Sequence, residues 1–148
     1  MKPIYLLVLY LLLVGCSQQR PPEVREFPDG FHGWALIVWE VPGYPELPSD
    51  TGKIVERFPA DGLIITSSKQ NFGWARDEEY YLDEEGHRLS SLPHIALEHL
   101  GRRENNAGCC MYFSELFVGT DAEAEHAKGK RSDDDVLYRR ICPDTKLR

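Results

Sequence analysis

The sequence predicts a mainly β protein: an antiparallel β-sandwich of about seven strands with one short helix near residues 121–128. Two observations predict this class. Short runs rich in β-branched and aromatic side chains recur along the chain, and clusters of glycine, proline and aspartate separate them. The sequence also has no heptads and no internal repeat, and its one strong helix signal is short. Many short strands with frequent turns are typical of sandwiches and partly closed barrels.

The first half of the chain contains the clearest strand signals. Residues 33–41 carry no charge before Glu40 and are β-branched and aromatic, which indicates a strand covered on both faces. Residues 53–58 and 63–67 flank a Pro-Ala-Asp-Gly turn, and this pattern predicts a tight hairpin. Residues 79–82 and 87–89 flank an Asp-Glu-Glu-Gly turn and predict a second hairpin with an acidic tip.

The signals in the second half are weaker. Residues 95–100 fit either a strand or one or two helical turns. Residues 109–119 are the longest later strand candidate, and residues 136–142 are predicted to close the fold as a strand. Between them, Thr120 and Glu123 have the spacing of a capping box, which predicts that the short helix begins there and ends at Gly129.

The N-terminal segment has the pattern of a cleaved export signal. Lys2 precedes an uncharged apolar run over residues 4–14, which as a helix would span only about 16 Å and cannot cross a bilayer. The run ends at Leu13-Val14-Gly15-Cys16, which resembles a bacterial lipobox. This resemblance implies cleavage between Gly15 and Cys16 and a diacylglyceryl group on the Cys16 sulfur. A buried N-terminal helix or an uncleaved anchor is the alternative.

A lipidated Cys16 would define both the organisation and the location of the protein. Residues 1–15 are then a signal peptide, residues 16–26 the lipidated N-terminus and a polar tether, and residues 27–148 a single domain. Two acyl chains on one residue bind a bilayer stably, so we expect a bacterial envelope protein that contacts the membrane through this anchor only. By resemblance to known sorting rules, Ser17 favours the outer membrane in a diderm host. In other hosts the outer face of the cell membrane is expected.

The charge balance argues against one class of partner. The chain has 17 basic and 24 acidic residues, and removal of residues 1–15 takes away only Lys2, which leaves 16 against 24, a net charge of −8. An acidic domain repels nucleic acid and anionic headgroups. We therefore expect no nucleic acid partner.

Three cysteines remain after the anchor. Export permits disulfides, and adjacent cysteines rarely bond each other because the small ring strains the peptide. A bridge from Cys142 to either Cys109 or Cys110 is therefore predicted, and it would close a loop of about 30 residues. The thiol left over is expected to be buried as a small apolar side chain. Three reduced thiols are the alternative.

No motif for catalysis, metal binding or cofactor binding is present in the sequence. It lacks a nucleophile elbow, a phosphate-binding loop, a zinc-protease helix motif and a Cys-x-x-Cys pair. The spacing of His94 and His99 suits joint metal ligation on neither a strand nor a helix. The acidic clusters at residues 77–79, 83–85 and 133–135 lack the spacing of a calcium-binding loop and are expected to be solvated. No catalytic residue, metal or cofactor is therefore predicted.

Two aromatic residues stand apart from the predicted core. Trp74 follows Gly73 in a loop between polar residues, and Tyr44 lies between a glycine and a proline. If both side chains are exposed and adjacent, they form a candidate surface for a ligand or partner. Packing of a long loop against the sheet is the alternative.

Several separate motifs between residues 27 and 120 are similar to those of a known group of proteins. They are Phe27-Pro28-Asp29-Gly30-Phe31-His32-Gly33-Trp34, Phe58-Pro59-Ala60-Asp61-Gly62 with Thr66-Ser67-Ser68, Gly73-Trp74-Ala75 with Glu79-Tyr80-Tyr81, and Phe117-Val118-Gly119-Thr120. Together they resemble a family of small bacterial lipoproteins built on a domain of unknown function, and the resemblance supplies no catalytic residues. The order of strands and turns is also similar to prealbumin-like and carboxypeptidase-regulatory sandwiches, which is an analogy of fold alone.

Two functions follow from these observations as hypotheses. An export signal without a catalytic motif favours a non-enzymatic, lipid-anchored module that binds another envelope protein or an extracellular ligand through loops at one end of the sandwich. The alternative is an envelope hydrolase that uses two carboxyl groups about 5 to 10 Å apart as acid and base.

Overall fold

The computed structural model describes residues 19–104, 108–128, 137 and 140–142. In this part of the chain, eight strands are followed by a seven-residue helix. The elements are, in order, β1 (Glu23–Pro28), β2 (Gly33–Trp39), β3 (Ser49–Asp50), β4 (Lys53–Arg57), β5 (Leu63–Ile65), β6 (Glu78–Leu82), β7 (Ile95–Glu104), β8 (Cys110–Val118) and α1 (Asp121–Ala127). The strands form two four-stranded sheets. The prediction of a mainly β protein with a short helix is confirmed. Both sheets are mixed, so the prediction of an antiparallel arrangement of about seven strands is wrong in direction and number.

The first sheet is built around β1. Its order is β3-β4-β1-β6, and β1 runs parallel to both of its neighbours. Residues 23–26, which the sequence places in the tether, therefore belong to the domain. Val24 and Phe27 are buried, and the charged side chains between them are paired with charges on neighbouring strands. This pairing allows a charged segment to occupy the middle of a sheet.

The second sheet has the order β5-β2-β8-β7. Strand β5 is parallel to β2, whereas β2 with β8 and β8 with β7 are antiparallel. The strands predicted at residues 33–41 and 109–119 are confirmed as β2 and β8. Residues 95–104 form the long strand β7, which resolves the ambiguity between strand and helix.

The first of the two predicted hairpins is wrong and the second is confirmed. The turn at residues 59–62 does form, with the Gly62 N–H donating to the Pro59 carbonyl at 2.9 Å. The chain then passes to the other sheet, so β4 pairs with β1 and β5 pairs with β2. In the second hairpin, Leu82 and Arg88 form an antiparallel bridge, and the Leu89 N–H donates to the Tyr81 carbonyl at 2.8 Å.

Buried side chains from both sheets form a shared core, which consists of Phe27, Ala35, Ile37, Trp39, Phe58, Leu116 and Val118. A second cluster lies on the other face of the second sheet and contains Val38, Val41, Ile65, Met111 and Leu137. Leu137, Arg140 and Ile141 are helical, so the closing strand predicted at residues 136–142 is wrong at these positions. Leu137 and Ile141 are four residues apart, which places them on one helix face, and they cover the second sheet instead of extending it.

The predicted cap and the predicted disulfide are both present. The Glu123 N–H donates to Thr120 Oγ1 at 3.3 Å, the Thr120 N–H donates to the Glu123 carboxylate at 2.8 Å, and together they form the capping box of α1. The helix ends at Ala127, and Gly129 lies outside the described residues. Cys142 is bonded to Cys109. Cys110 is exposed, so the prediction of a buried leftover thiol is wrong.

No helix within the described ranges has the length and apolar character needed to cross a bilayer.

Candidate binding cavity

One end of the space between the two sheets is charged, whereas the other end is apolar. On the inner face of the first sheet, the rings of Phe27 and Phe58 stack with centroids 4.7 Å apart. Two residues earlier on the same face stand Arg25 and Glu56, which are partners in the register of β1 and β4. The interior therefore changes from aromatic rings to ionisable groups within one repeat of the pleat.

Arg25 is the centre of the charged part. Its guanidinium lies 3.2 Å from the Glu56 carboxylate, 3.3 Å from Glu23 and 2.6 Å from Glu98 on the opposite sheet. Glu79 is more distant at 3.7 Å. The strand register creates this arrangement, because Glu56 and Glu79 are the partners of Arg25 on its two neighbouring strands. These contacts replace the hydration that Arg25 and Glu56 lose on burial.

Carboxyl groups outnumber guanidinium groups around this centre. The cluster has two arginines, Arg20 and Arg25, and five acidic residues, which are Glu23, Glu56, Asp77, Glu79 and Glu98. Burial and the nearby Glu23 carboxylate raise the pKa of Glu56 to about 8, against the opposing effect of Arg25. Burial also raises the pKa of Glu23. The cluster therefore holds a proton at neutral pH and still carries an excess of negative charge.

Arg20 completes the cluster on the N-terminal side. Its guanidinium donates to both carboxylate oxygens of Asp77, at 2.9 and 2.5 Å, and the backbone N–H of Glu23 donates to the same group at 2.9 Å. Although burial would raise it, these donors hold the pKa of Asp77 below its usual value. Two parallel hydrogen bonds to one carboxylate are a strong pairing mode for arginine, so Arg20 is held in place by Asp77.

A cavity of about 330 Å³ opens at this charged end. Its lining includes Arg20, Glu23, Glu98, residues 71–73, Leu100 and Ser114. The hydroxyl of Ser114 accepts hydrogen bonds from Trp39 Nε1 at 2.8 Å and from Gln70 Nε2 at 3.2 Å, which fixes one polar wall. The volume is at the lower end of the range for small-molecule sites.

The rim of the cavity is apolar and exposed. Phe72 is 60% exposed and Leu100 is 43% exposed, and both line the opening. Trp74 is 68% exposed, follows the lining residue Gly73, and accepts a hydrogen bond from the Arg20 N–H at 3.3 Å through its carbonyl. Large apolar side chains exposed together at a polar opening are typical of a binding surface.

The two aromatic residues selected from the sequence do not form one surface. Trp74 is exposed, which is one half of what the hypothesis requires, and it directly follows Gly73 of the cavity lining. Tyr44 is half-buried and packs against the second cluster, on the opposite face of the second sheet from Ser114. Phe72, Leu100 and Glu98 were missed because their proximity depends on the packing of two sheets. The apolar residues Val24 and Phe27 in a charged segment were the available signal for β1, and they do not alternate with the charges as strand residues usually do.

Several other sequence candidates lie apart from the cavity. Asp83, Glu85 and His87 bring ligand-type atoms within 4.8 Å of one another at the exposed tip of the second hairpin, so they are the described residues best placed to hold a metal ion. His94 and His99 have separate contacts, the first with the Gly119 carbonyl and the second with the Phe113 ring. Gly15, Cys16 and the acidic cluster at residues 133–135 lie outside the described residues.

The chain belongs to a family of unknown function, DUF6843, which matches residues 19–127. This range contains every residue of the cavity. The chain is also similar to a 2.75 Å crystal structure of a "Putative Lipoprotein from Bacillus anthracis", with a TM-score of 0.64 and 24% sequence identity over 88% of this chain and 100% of that chain. No curated protein matches the chain. The likeness supports the fold, and the resemblance to a family with a domain of unknown function is confirmed, whereas the prealbumin-like analogy is not.

Proposed function

We propose that this protein is a lipid-anchored component of a bacterial cell envelope whose domain is a non-enzymatic binding module with its ligand site at the charged cavity. The lipobox at residues 13–16 supports the anchor. The likeness in fold to a protein described as a lipoprotein adds support of a coarser kind. The observation that carries the binding role is the polar cavity with Phe72 and Leu100 exposed in its lining and Trp74 exposed next to the lining residue Gly73.

The anchor is tested by expressing the full chain and its Cys16→Ala variant in a bacterial host supplied with a palmitate analogue. We expect the unsubstituted chain to carry the label in the membrane fraction and the Cys16→Ala variant to carry no label. Mass spectrometry that found an unmodified Cys16 or an intact leader on the native product would contradict the anchor.

The binding role is tested on the same membranes by chemical cross-linking, with the unsubstituted chain and a Phe72→Ala variant compared. Leu92→Ala is the matched control, because Leu92 is 66% exposed and lies outside the cavity lining. We expect Phe72→Ala, and not Leu92→Ala, to reduce cross-linking to envelope components. Equal cross-linking by all three chains would contradict a binding role for the cavity.

One observation favours a hydrolase as the second candidate. Carboxylate oxygens of Glu23 and Glu98 lie on the same Arg25 nitrogen at 3.3 and 2.6 Å, so they are less than about 6 Å apart, a spacing compatible with a retaining glycosidase. However, Arg25 binds both carboxylates, and neither is free to attack a sugar or to donate a proton. Turnover of chromogenic glycosides that disappears in Glu98→Gln would favour the hydrolase, and no turnover would favour the binding module.

A further inference from the structure

We propose that the cavity and its apolar rim face the bilayer that anchors the protein, and that the cavity receives the primary ammonium group of a zwitterionic lipid headgroup. This inference rests on the proposed lipidation of Cys16 and names the ligand of the proposed binding site. It extends membrane contact beyond the acyl chains to the folded domain.

The chain between the anchor and the cavity is short. Arg20 lines the cavity and is only four residues after Cys16, and Gln19 forms a bridge with Trp74. Four residues span at most about 14 Å even when fully extended. A cavity tied to the acyl chains by so short a connection lies close to the headgroup region.

Most of the exposed large apolar side chains lie at or beside the rim of the cavity. Phe72, Trp74 and Leu100 are three of the four large apolar side chains that are exposed in the described part of the chain. Aromatic and leucine side chains are the residues that enter the boundary between headgroups and acyl chains, and tryptophan favours this boundary because one end of its ring is polar. Their concentration beside the anchor points to the membrane as the surface that covers them.

The charges around the cavity favour a cation. Two carboxyl groups, Glu23 and Glu98, and the guanidinium group of Arg20 line the cavity. They belong to the cluster of five carboxyl and two guanidinium groups, in which both guanidinium groups already bind carboxylates of the protein. With one carboxyl group protonated, four negative charges still face two positive ones. An anion would be repelled, whereas a cation would be attracted. The side chain of Glu98 is 41% exposed and can accept a hydrogen bond from an incoming ammonium group while retaining Arg25.

The size and composition of the cavity favour an organic cation over a metal ion. A volume of about 330 Å³ accommodates an ethanolamine-sized group with room for water. A hard metal ion requires six or more oxygen ligands and gains nothing from an aromatic rim. An ammonium group on a carbon chain uses both the carboxylates and the ring of Phe72.

The test uses the lipidated full chain reconstituted into vesicles of three compositions: phosphatidylcholine alone, and phosphatidylcholine mixed with either phosphatidylethanolamine or phosphatidylglycerol. Lipids with brominated acyl chains quench the fluorescence of tryptophans that approach the bilayer. We expect quenching in the phosphatidylethanolamine vesicles to exceed that in both other vesicle types, and that in the phosphatidylglycerol vesicles by about twofold or more. Only phosphatidylethanolamine presents a primary ammonium group that donates hydrogen bonds to a carboxylate, whereas the trimethylammonium group of phosphatidylcholine has no N–H and phosphatidylglycerol has no cationic group. A Trp74→Phe variant should lose most of this quenching, since Trp39 is buried and Trp34 is half-buried with its ring packed against Phe117.

Two variants on the same strand separate the role of the cavity from that of surface charge. Glu98→Gln should abolish the difference between the two vesicle types. Glu104→Gln should leave it unchanged, because Glu104 pairs with Arg102 away from the cavity. Equal thermal unfolding of the two variants verifies that Glu98→Gln folds, and Phe72→Ala, an exposed position, is the second cavity variant if it does not.

The possible failures are distinguishable. A chain without lipid contradicts the proposed anchor. A lipidated chain whose Trp74 is not quenched in any vesicle contradicts the membrane-facing surface and leaves the anchor intact. Quenching that is equal in all vesicles and insensitive to Glu98→Gln contradicts the ammonium ligand. If the cross-linked partner depends on Phe72 while Trp74 remains unquenched, the cavity binds a protein, and the inference is overturned while the proposed function stands.

Discussion

At the scale of single residues, Arg25 explains how a chain of this composition can place charges between two sheets. Burial of an isolated ion is costly, and an ion pair offsets this cost only when hydrogen bonds satisfy most of its atoms. Arg25 meets this condition because carboxylates surround it from its own strand (Glu23), from a neighbouring strand (Glu56) and from the opposite sheet (Glu98). The same crowding leaves Glu56, whose side chain is 1% exposed, with a raised pKa of about 8.

The raised pKa of Glu56 predicts a specific dependence of stability on pH. Its ordinary pKa of 4.5 describes the unfolded chain, so between about pH 5 and pH 8 the folded state binds this proton and the unfolded state does not. The contribution to stability is complete below the unfolded pKa and is lost as the pH rises through the folded one. We therefore expect the free energy of unfolding to fall over this interval in the unsubstituted chain.

Glu56→Gln is the variant that isolates this effect, because glutamine keeps the size and an acceptor for Arg25 but has no proton to lose. Urea denaturation at several pH values should show that the difference in unfolding free energy between the two chains changes steadily across the interval. The lowered pKa of Asp77 acts with the opposite sign at acidic pH, is common to both chains, and cancels in the difference. A constant difference would contradict a buried, protonated Glu56.

At the scale of elements, local patterns predicted the strands better than they predicted the partners of those strands. Residues 59–62 form the turn that their composition predicts, and yet β4 and β5 lie in different sheets. A turn determines only the local direction of the chain, whereas the pairing is decided by β1 and β2, which offer longer strands to the two arms. The segment from Glu23 to Glu26 was predicted as a tether because Arg25 and Glu26 find partners at distant positions of the sequence.

The short helix α1 allows a prediction at this scale. Its seven residues are too few for independent stability, so its cap is expected to matter. Thr120→Val removes the hydroxyl that accepts the Glu123 N–H and should lower the free energy of unfolding by about 1 kcal/mol, measured by chemical denaturation. Glu125→Gln, on the same helix but outside the capping box, should have a much smaller effect. Similar losses in the two variants would contradict a specific role for the cap.

At the scale of the whole molecule, the features predicted from the sequence are those that depend on neighbouring residues, such as the capping box and the acidic turn. The cavity depends on the approach of two sheets, because Glu23 lies in β1 and Glu98 in β7. Trp74 was identified because it follows a glycine in a loop between polar residues, and its exposure is a local property. Tyr44 had the same local pattern but packs against residues distant in the sequence, which no local pattern reveals.

The covalent link from Cys109 to Cys142 joins β8 to the C-terminal segment, and it provides a final prediction at this scale. The bridge spans 33 positions of the sequence, and Leu137 and Ile141 just before it cover the outer face of the second sheet. Replacement of both Cys109 and Cys142 by serine should lower the free energy of unfolding by about 3 to 4 kcal/mol, because the unfolded chain gains the freedom of an open loop. It should also increase the binding of a hydrophobic dye as Leu137 and Ile141 leave the sheet. Cys110→Ser is the matched control, since this thiol is exposed and outside the bridge, and we expect it to change neither measurement. If the double variant behaved like this control, the C-terminal segment would be held by its apolar contacts alone, and the bridge would have no part in closing the fold.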